Sequence, residues 1–360
     1  MKSLANISFL SVTAILFLHL GCKINDVSTE TMNKFDLCFN KQINNKWAVI
    51  LYNSTNQSSK NISLDNNDYF PTWSPDGSLI IFTRYKNDGG TDIMSYNIEK
   101  NIIVNITNGK TTESYYSPIW TKSGNQIIFN YHKIGEKENT QIMNKDGSDK
   151  KKILDFCANI FFSNDDNSFV YQPNGTNSEN DYTVFKYSLI NNNPDLILDL
   201  KTVGEEYTQL YGYNQLQNKI LLLIASTPRI TDLIATYDLN SKTIDTISVA
   251  DSGWIYLRPQ YSNDYSKILF EKKNYNGKID KLILCEKVKE KEIISLADGN
   301  SWFDFNSISF SATNDFLAYT KNINQSSQWA AWESYVYVVD LNTLKNIIID
   351  SGHSPQWNPR

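Results

Sequence analysis

Histidine and arginine are scarce in this chain. Its 360 residues hold three His (His19, His132 and His353) and four Arg (Arg84, Arg229, Arg258 and Arg360). Acid–base and nucleophilic catalysis need groups within reach of one another, and isolated imidazoles seldom provide that. No G-x-S-x-G elbow, H-E-x-x-H pair or phosphate-binding glycine loop occurs. Net charge is −5 and no basic stripe is present, which argues against nucleic acid as a partner. The acidic turns Asn66-Asn67-Asp68 and Asn164-Asp165-Asp166-Asn167 lack the spacing of a calcium loop and read as turn and cap residues. No metal and no cofactor is therefore expected. Cysteine is sparse, with four residues and no C-x-x-C spacing. Cys38, Cys157 and Cys285 sit in or beside apolar runs and are expected to be buried free thiols, with one disulfide as the alternative in an oxidising compartment.

What is abundant is aromatic: 21 Tyr, 17 Phe and 8 Trp, a composition suited to strands. The aromatics recur at a fixed period. One unit reads Phe70-Pro71-Thr72-Trp73-Ser74-Pro75-Asp76-Gly77 and reaches Phe82. The next reads Ser117-Pro118-Ile119-Trp120-Thr121-Lys122-Ser123-Gly124 and reaches Phe129. Both place the closing aromatic nine positions after the leading one. The interval returns in weaker form at Phe162/Tyr171, Tyr213/Leu222, Tyr261/Phe270 and Phe310/Tyr319, and Trp357 opens a last, incomplete unit. Leading residues are 47, 42, 51, 48, 49 and 47 positions apart.

Each unit has a physical reading. Pro presets φ, Asp caps its own backbone and Gly accepts positive φ, so Ser-Pro-Asp-Gly makes a tight turn. A short apolar strand follows at 79–82, a third at 92–96 and a fourth at 102–104. Four antiparallel strands in about 47 residues make a propeller blade. The pattern P-x-W-S-P-D-G, then I-x-F and D-I, resembles the TolB-type, WD40-like propeller repeat, strongly at 70–108 and well at 117–155. The resemblance implies an all-β ring of four-stranded antiparallel blades. Six complete units and two fragments predict seven blades. The closing blade takes one strand from the C-terminal end (to Trp357) and three from the N-terminal part (35–39, 47–52 and 61–64). The six-bladed ring that TolB itself resembles is the fallback.

The first residues are of another kind. Lys2 precedes a short apolar stretch at 7–20 that fits the core of a secretory signal. It ends in Leu18-His19-Leu20-Gly21-Cys22, which resembles the lipobox of bacterial lipoproteins, although His19 and Leu20 depart from its usual Leu and small residue. The expected organisation is a signal peptide at 1–21, a lipid-bearing Cys22 with a tether at 22–34, and a propeller at 35–360. The protein is then exported and membrane-anchored, facing the periplasm or the cell surface.

In a propeller, loops from each fourth strand to the next blade share a face with loops from second to third strands. That face gathers Tyr69, Tyr115, Tyr116, Trp254, Trp302, Trp329 and Trp332, together with Arg84, Arg229 and Arg258. Aromatic planes and arginine forks suit a peptide, a carboxylate or a sugar. The expectation is a monomeric, non-enzymatic envelope protein that binds a protein, peptide or glycan there. The alternative is a carbohydrate-active lyase or glycosidase using mouth-side acids such as Glu113, Glu205, Glu206 and Asp304.

Overall fold

The computed structural model describes residues 36–63, 66–155, 157–163, 165–173, 182–202, 207–225, 232–324 and 332–360. The segments expected to form a signal and a tether, with Cys22, lie outside them. Apart from a 3-10 turn at Leu200–Thr202, the regular elements among the described residues are strands, 28 in number, forming seven four-stranded antiparallel blades, of which those at 67–105 and 113–155 join in one eight-stranded sheet through a parallel pairing of Thr91 with Ser114. Blade 1 runs outward from the axis as Asn67–Trp73, Leu79–Tyr85, Thr91–Asn97 and Ile102–Asn105. Blades 2 to 6 span 113–155, 157–199, 207–249, 254–296 and 301–351. In the closing blade, His353–Trp357 pairs with Leu37–Ile43, followed by Lys46–Asn53 and Ser58–Asn61. The ring thus has seven blades, one of them shared between the two ends of the chain. Its outer strand lies at Ser58–Asn61, slightly before the expected 61–64.

Strand alternation explains how the blades cohere. Successive side chains point to opposite faces. In blade 1, Ile80 and Phe82 pack with Cys38, Val49 and Leu51 of the closing blade. Ile81, between them, packs with Trp120, Ile127 and Phe129 of blade 2. The same holds around the ring, and among the described residues the seven apolar cores each lie between two neighbouring blades. The last joins Leu37, Phe39 and Ile50 of the closing blade to Ala318, Val336 and Val338 of blade 6. Burying one such side chain contributes roughly 1.5–3 kcal/mol. No blade keeps a core to itself, so closure stabilises all of them. Cys38 and Cys285 are free and buried in these cores, as expected, and the Cys157 side chain lies outside the described residues.

The repeated turn does what its residues dictate. Asp76 accepts hydrogen bonds from the Ser74 hydroxyl (2.6 Å) and the Ser78 amide (3.0 Å), Ser74 Oγ accepts from Leu79 N (2.9 Å), and Gly77 has φ +63°. The Ser163/Asp165 and Ser262/Asp264 turns repeat the hydroxyl-to-carboxylate bond at 2.5 and 2.7 Å. The leading tryptophans lock adjacent inner strands. Trp73 Nε1 donates to Gln356 O of the closing blade (3.1 Å), and Trp120 Nε1 to Thr72 O of blade 1 (3.4 Å). Three residues before the leading aromatic, Phe70, Ser117, Asn159, Arg258 and Ser354 all have φ of 50–55°. Register breaks mark these inner strands as bulged, a device that re-aims side chains at a rim.

Candidate functional site

The mouth is the face carrying the blade-to-blade loops. Its buried polar groups act as latches between blades. Asn40 Oδ1 accepts from Phe70 N (2.9 Å), Gln172 Oε1 from Leu210 N (2.9 Å), Asp232 Oδ2 from Tyr256 N (3.0 Å) and Asp280 Oδ2 from Phe303 N (3.3 Å). In each case the donor belongs to the inner strand of the next blade. Thr91 Oγ1 donates to Tyr115 O in the same sense (2.9 Å). Asp92 gathers Asn105 Nδ2, Thr107 Oγ1 and Gly109 N at 2.8–2.9 Å, pinning the segment that leads into blade 2.

Two of the expected arginines belong to this framework. Arg84 lies directly opposite Asp68 in the strand register and grips it with Nε (2.7 Å) and Nη2 (2.8 Å). Asp68 is fully buried, and that burial lifts its carboxyl above the ordinary range in spite of Arg84 and Ser63. Arg258 pairs with buried Glu271, and burial lowers its guanidinium against the pull of Asp280, Tyr211 and Asp304. Both forks are therefore occupied within the protein, a correction to their expected role as free anion clamps. Burial also raises Asp280, with Lys273 4.0 Å away and, among the described residues, no hydrogen-bond partner for its Oδ1.

The aromatics divide. Tyr115 is 8 % exposed and packs on Phe129 and Tyr131 in the core between blades 1 and 2, so it is a core residue rather than a surface one. Trp254 sits on the flank of blades 4 and 5 with Lys272 and Lys281 over its ring at 5.6 and 5.4 Å. Tyr116 and Trp302 are half-buried in inner strands, opposite Asn130 and Asn322. Tyr69, in the inner strand of blade 1, touches Trp47 (6.0 Å between ring centroids), Phe70 (6.1 Å) and Tyr85 (4.9 Å). Trp47 in turn meets His353 edge-on at 4.4 Å. Phe70 and Tyr85 are half exposed, at 50 % and 53 %.

This run of rings joins the closing blade to blade 1. Trp47 also lines a groove of about 880 Å³ between the closing blade and blade 6, with Gln42, Glu333, Ser334, Tyr335 and Asp350. Trp332 begins the third strand of blade 6 beside that groove, although its side chain, like Trp329 and Arg229, lies outside the described residues. Trp47, Tyr85 and His353 are mouth residues that sequence reasoning passed over. Their signal is position: Tyr85 closes a second strand and Trp47 opens a third, so both border the loops of this face.

The mouth-side acids are engaged as well. Glu113 accepts from Lys110 N (2.8 Å) and Tyr131 Oη (3.2 Å), which lowers its carboxyl; Glu205 and Glu206 lie outside the described residues. Burial lowers the His353 imidazole against the influence of Asp304, and its Nδ1 lies 2.8 Å from Ser354 Oγ. His353 opens the closing inner strand, and His132 stands opposite Ser114 in a blade 2 strand. Among the described residues no three His, Cys, Asp or Glu side chains stand together to hold a metal ion.

No family model matches the chain, and no curated protein matches it. Solved structures do match it in shape. The β-propeller domain of the Trilobed protease from Pyrococcus furiosus superposes with a TM-score of 0.59 at 14% identity, covering 88% of this chain and 96% of that one. TolB from Acinetobacter baumannii gives 0.55 at 14% identity, covering 90% and 82%. An oligogalacturonate lyase in complex with manganese gives 0.58 at 9% identity, covering 88% and 86%. At such identities the likeness is one of fold. In fold, the chain is a TolB-like β-propeller.

Proposed function

We propose that the protein is a non-enzymatic binding module of the cell envelope, tethered through lipid on Cys22, that docks an envelope protein, peptide or glycan on its mouth. One observation carries this reading. The mouth offers a connected aromatic surface from His353 through Trp47 and Tyr69 to Phe70 and Tyr85, half exposed at its far end, while the charged groups described around it are occupied by latches and ion pairs. Exposed aromatics over a rigid base are what binding hot spots are made of. Acids already engaged by backbone amides, a tyrosine hydroxyl or a guanidinium are poorly placed to exchange protons with a substrate. The signal-like segment at 7–20 supports a location outside the cytoplasm, and the groove lined by Trp47, Glu333 and Tyr335 enlarges the surface available for docking.

The test uses the full chain in envelope extracts with cross-linking. Phe70→Ala with Tyr85→Ala is expected to reduce partner capture about tenfold or more, and Trp329→Ala with Trp332→Ala likewise, with the melting temperature nearly unchanged. Capture that survives both pairs refutes the mouth as the docking face. Turnover of a polysaccharide by the purified chain refutes the non-enzymatic reading.

A further inference from the structure

The opposite end of the axis holds a second cavity, of about 610 Å³, where the inner strands of successive blades end at their turns. Its walls include Ile119, Trp120, Phe161, Tyr211, Tyr261 and Tyr265, drawn from blades 2 to 5. Tyr261 and Tyr265 meet edge to face at 5.5 Å. Ile119 is 38 % exposed, an apolar side chain left open on the lining. No carboxylate lines the cavity and Lys122 is its one cation among the described residues, which is unexpected on a face built from acidic turns. The turns themselves explain it. Asp76 and Asp264 bond back to the serines of their own turns, and Asp166 accepts from the Lys122 and Ser123 amides, at 2.5 and 2.6 Å. Gln260, Asn263 and Thr121 add neutral polar groups to the rim.

We propose that this cavity is a second binding site and that it takes a neutral oligosaccharide. A cavity in the range of about 300–1,000 Å³, lined by aromatic rings with a few neutral polar groups, fits a small molecule rather than a protein surface. The negative faces of the partly exposed Tyr211, Tyr261 and Tyr265 rings attract the C–H faces of a pyranose, while side-chain amides and hydroxyls match its hydroxyl groups. An acidic sugar finds only Lys122, and a cationic ligand finds no carboxylate. The volume accommodates roughly two or three hexose rings, within the usual range for such sites. The mouth described above is a separate face with its own aromatics, so either site stands or falls without the other.

The experiment is a titration of the full chain, in a zwitterionic detergent, with maltotriose, cellotriose and N-acetylchitotriose. Trigalacturonate and a tryptophan-containing tripeptide serve as comparisons. Tryptophan fluorescence reports directly, since Trp73 and Trp120 border the cavity. The expected result is saturable binding of at least one neutral trisaccharide. Ile119→Trp, which fills the open part of the cavity, and Tyr265→Ala, which removes one ring, should each weaken it about tenfold or more. Phe70→Ala with Tyr85→Ala should leave it unchanged. Tyr265→Ala carries the test if Ile119→Trp does not fold. Three outcomes overturn the proposal: no neutral saccharide saturates, binding persists in the folded cavity variants, or only the charged saccharide or the peptide binds.

Discussion

Aspartates at the two ends of the ring meet opposite surroundings. At the mouth, Asp68, Asp92, Asp232 and Asp280 are at most 3 % exposed and hold a guanidinium, a neighbouring inner strand or the segment leading to the next blade. At the turn end, Asp76, Asp165 and Asp264 are exposed and bond within their own turns. In the first group, burial lifts the carboxyls of Asp68 and Asp280. In the second group donors dominate. For Asp76, burial pushes up, but the Ser74 and Ser78 bonds and nearby Arg360 outweigh it and hold the carboxyl at about 2. Bonds from Ser163 and Asn167 lower Asp165. The same residue type thus joins blades at one end and shapes local turns at the other, and its removal should cost very different amounts.

The largest difference is expected at Arg84. Replacing it with Ala strands a buried Asp68 without its partner and should destabilise the ring by about 3–5 kcal/mol in denaturant titration. A loss under about 1 kcal/mol would mean that the fork is ornamental and that the mouth and turn acids do not differ in kind. Asp280→Asn should move stability in the other direction. The native carboxyl is raised, so its contribution is fully present below the ordinary Asp value and is lost as pH rises through the folded value. Asparagine keeps an acceptor for Phe303 N and removes the buried charge. The variant should gain on the order of 1 kcal/mol at neutral pH and lose that slope, read from unfolding curves across mildly acidic to neutral pH. The smallest effect belongs to Asp76→Ala, about 0.5–1 kcal/mol, because an exposed turn residue is screened by water. Its sign with pH is reversed. A lowered carboxyl stabilises above the ordinary Asp value, and that contribution fades as pH falls towards about 2. Equal acid sensitivity in Asp76→Ala and the parent would break the contrast.

The turn end was largely legible from the sequence, and the mouth was not. A turn is local: Ser74, Asp76, Gly77 and Ser78 span five positions, so the chemistry that shapes them appears as a motif. The blade count followed from the same regularity, because each leading aromatic reaches the preceding blade, as Trp73 and Trp120 do through their indoles. At the mouth the partners are distant or hidden by register. Asp68 and Arg84 are 16 residues apart, and a bulge between Tyr69 and Thr72 intervenes before they face each other. Counting back from the turn with that extra residue would have paired them, and Arg84 would then have read as structural. Tyr115 misled for a different reason. It stands next to Tyr116 in an aromatic pair, yet alternation sends it into the core, where a Cβ on Gly109 would collide with its ring.

The closing blade has a consequence in time. Its outer three strands lie within residues 37–61 and its inner strand at 353–357, so these three are made long before the neighbour that completes their sheet. Until then Leu37, Phe39 and Ile50 lack the blade 6 residues they pack against, and Leu37–Ile43 presents an unpaired edge. The seal with blade 6 therefore forms late, after the strand at 353–357 has been made, and closure of the ring is a contact across nearly its full sequence separation.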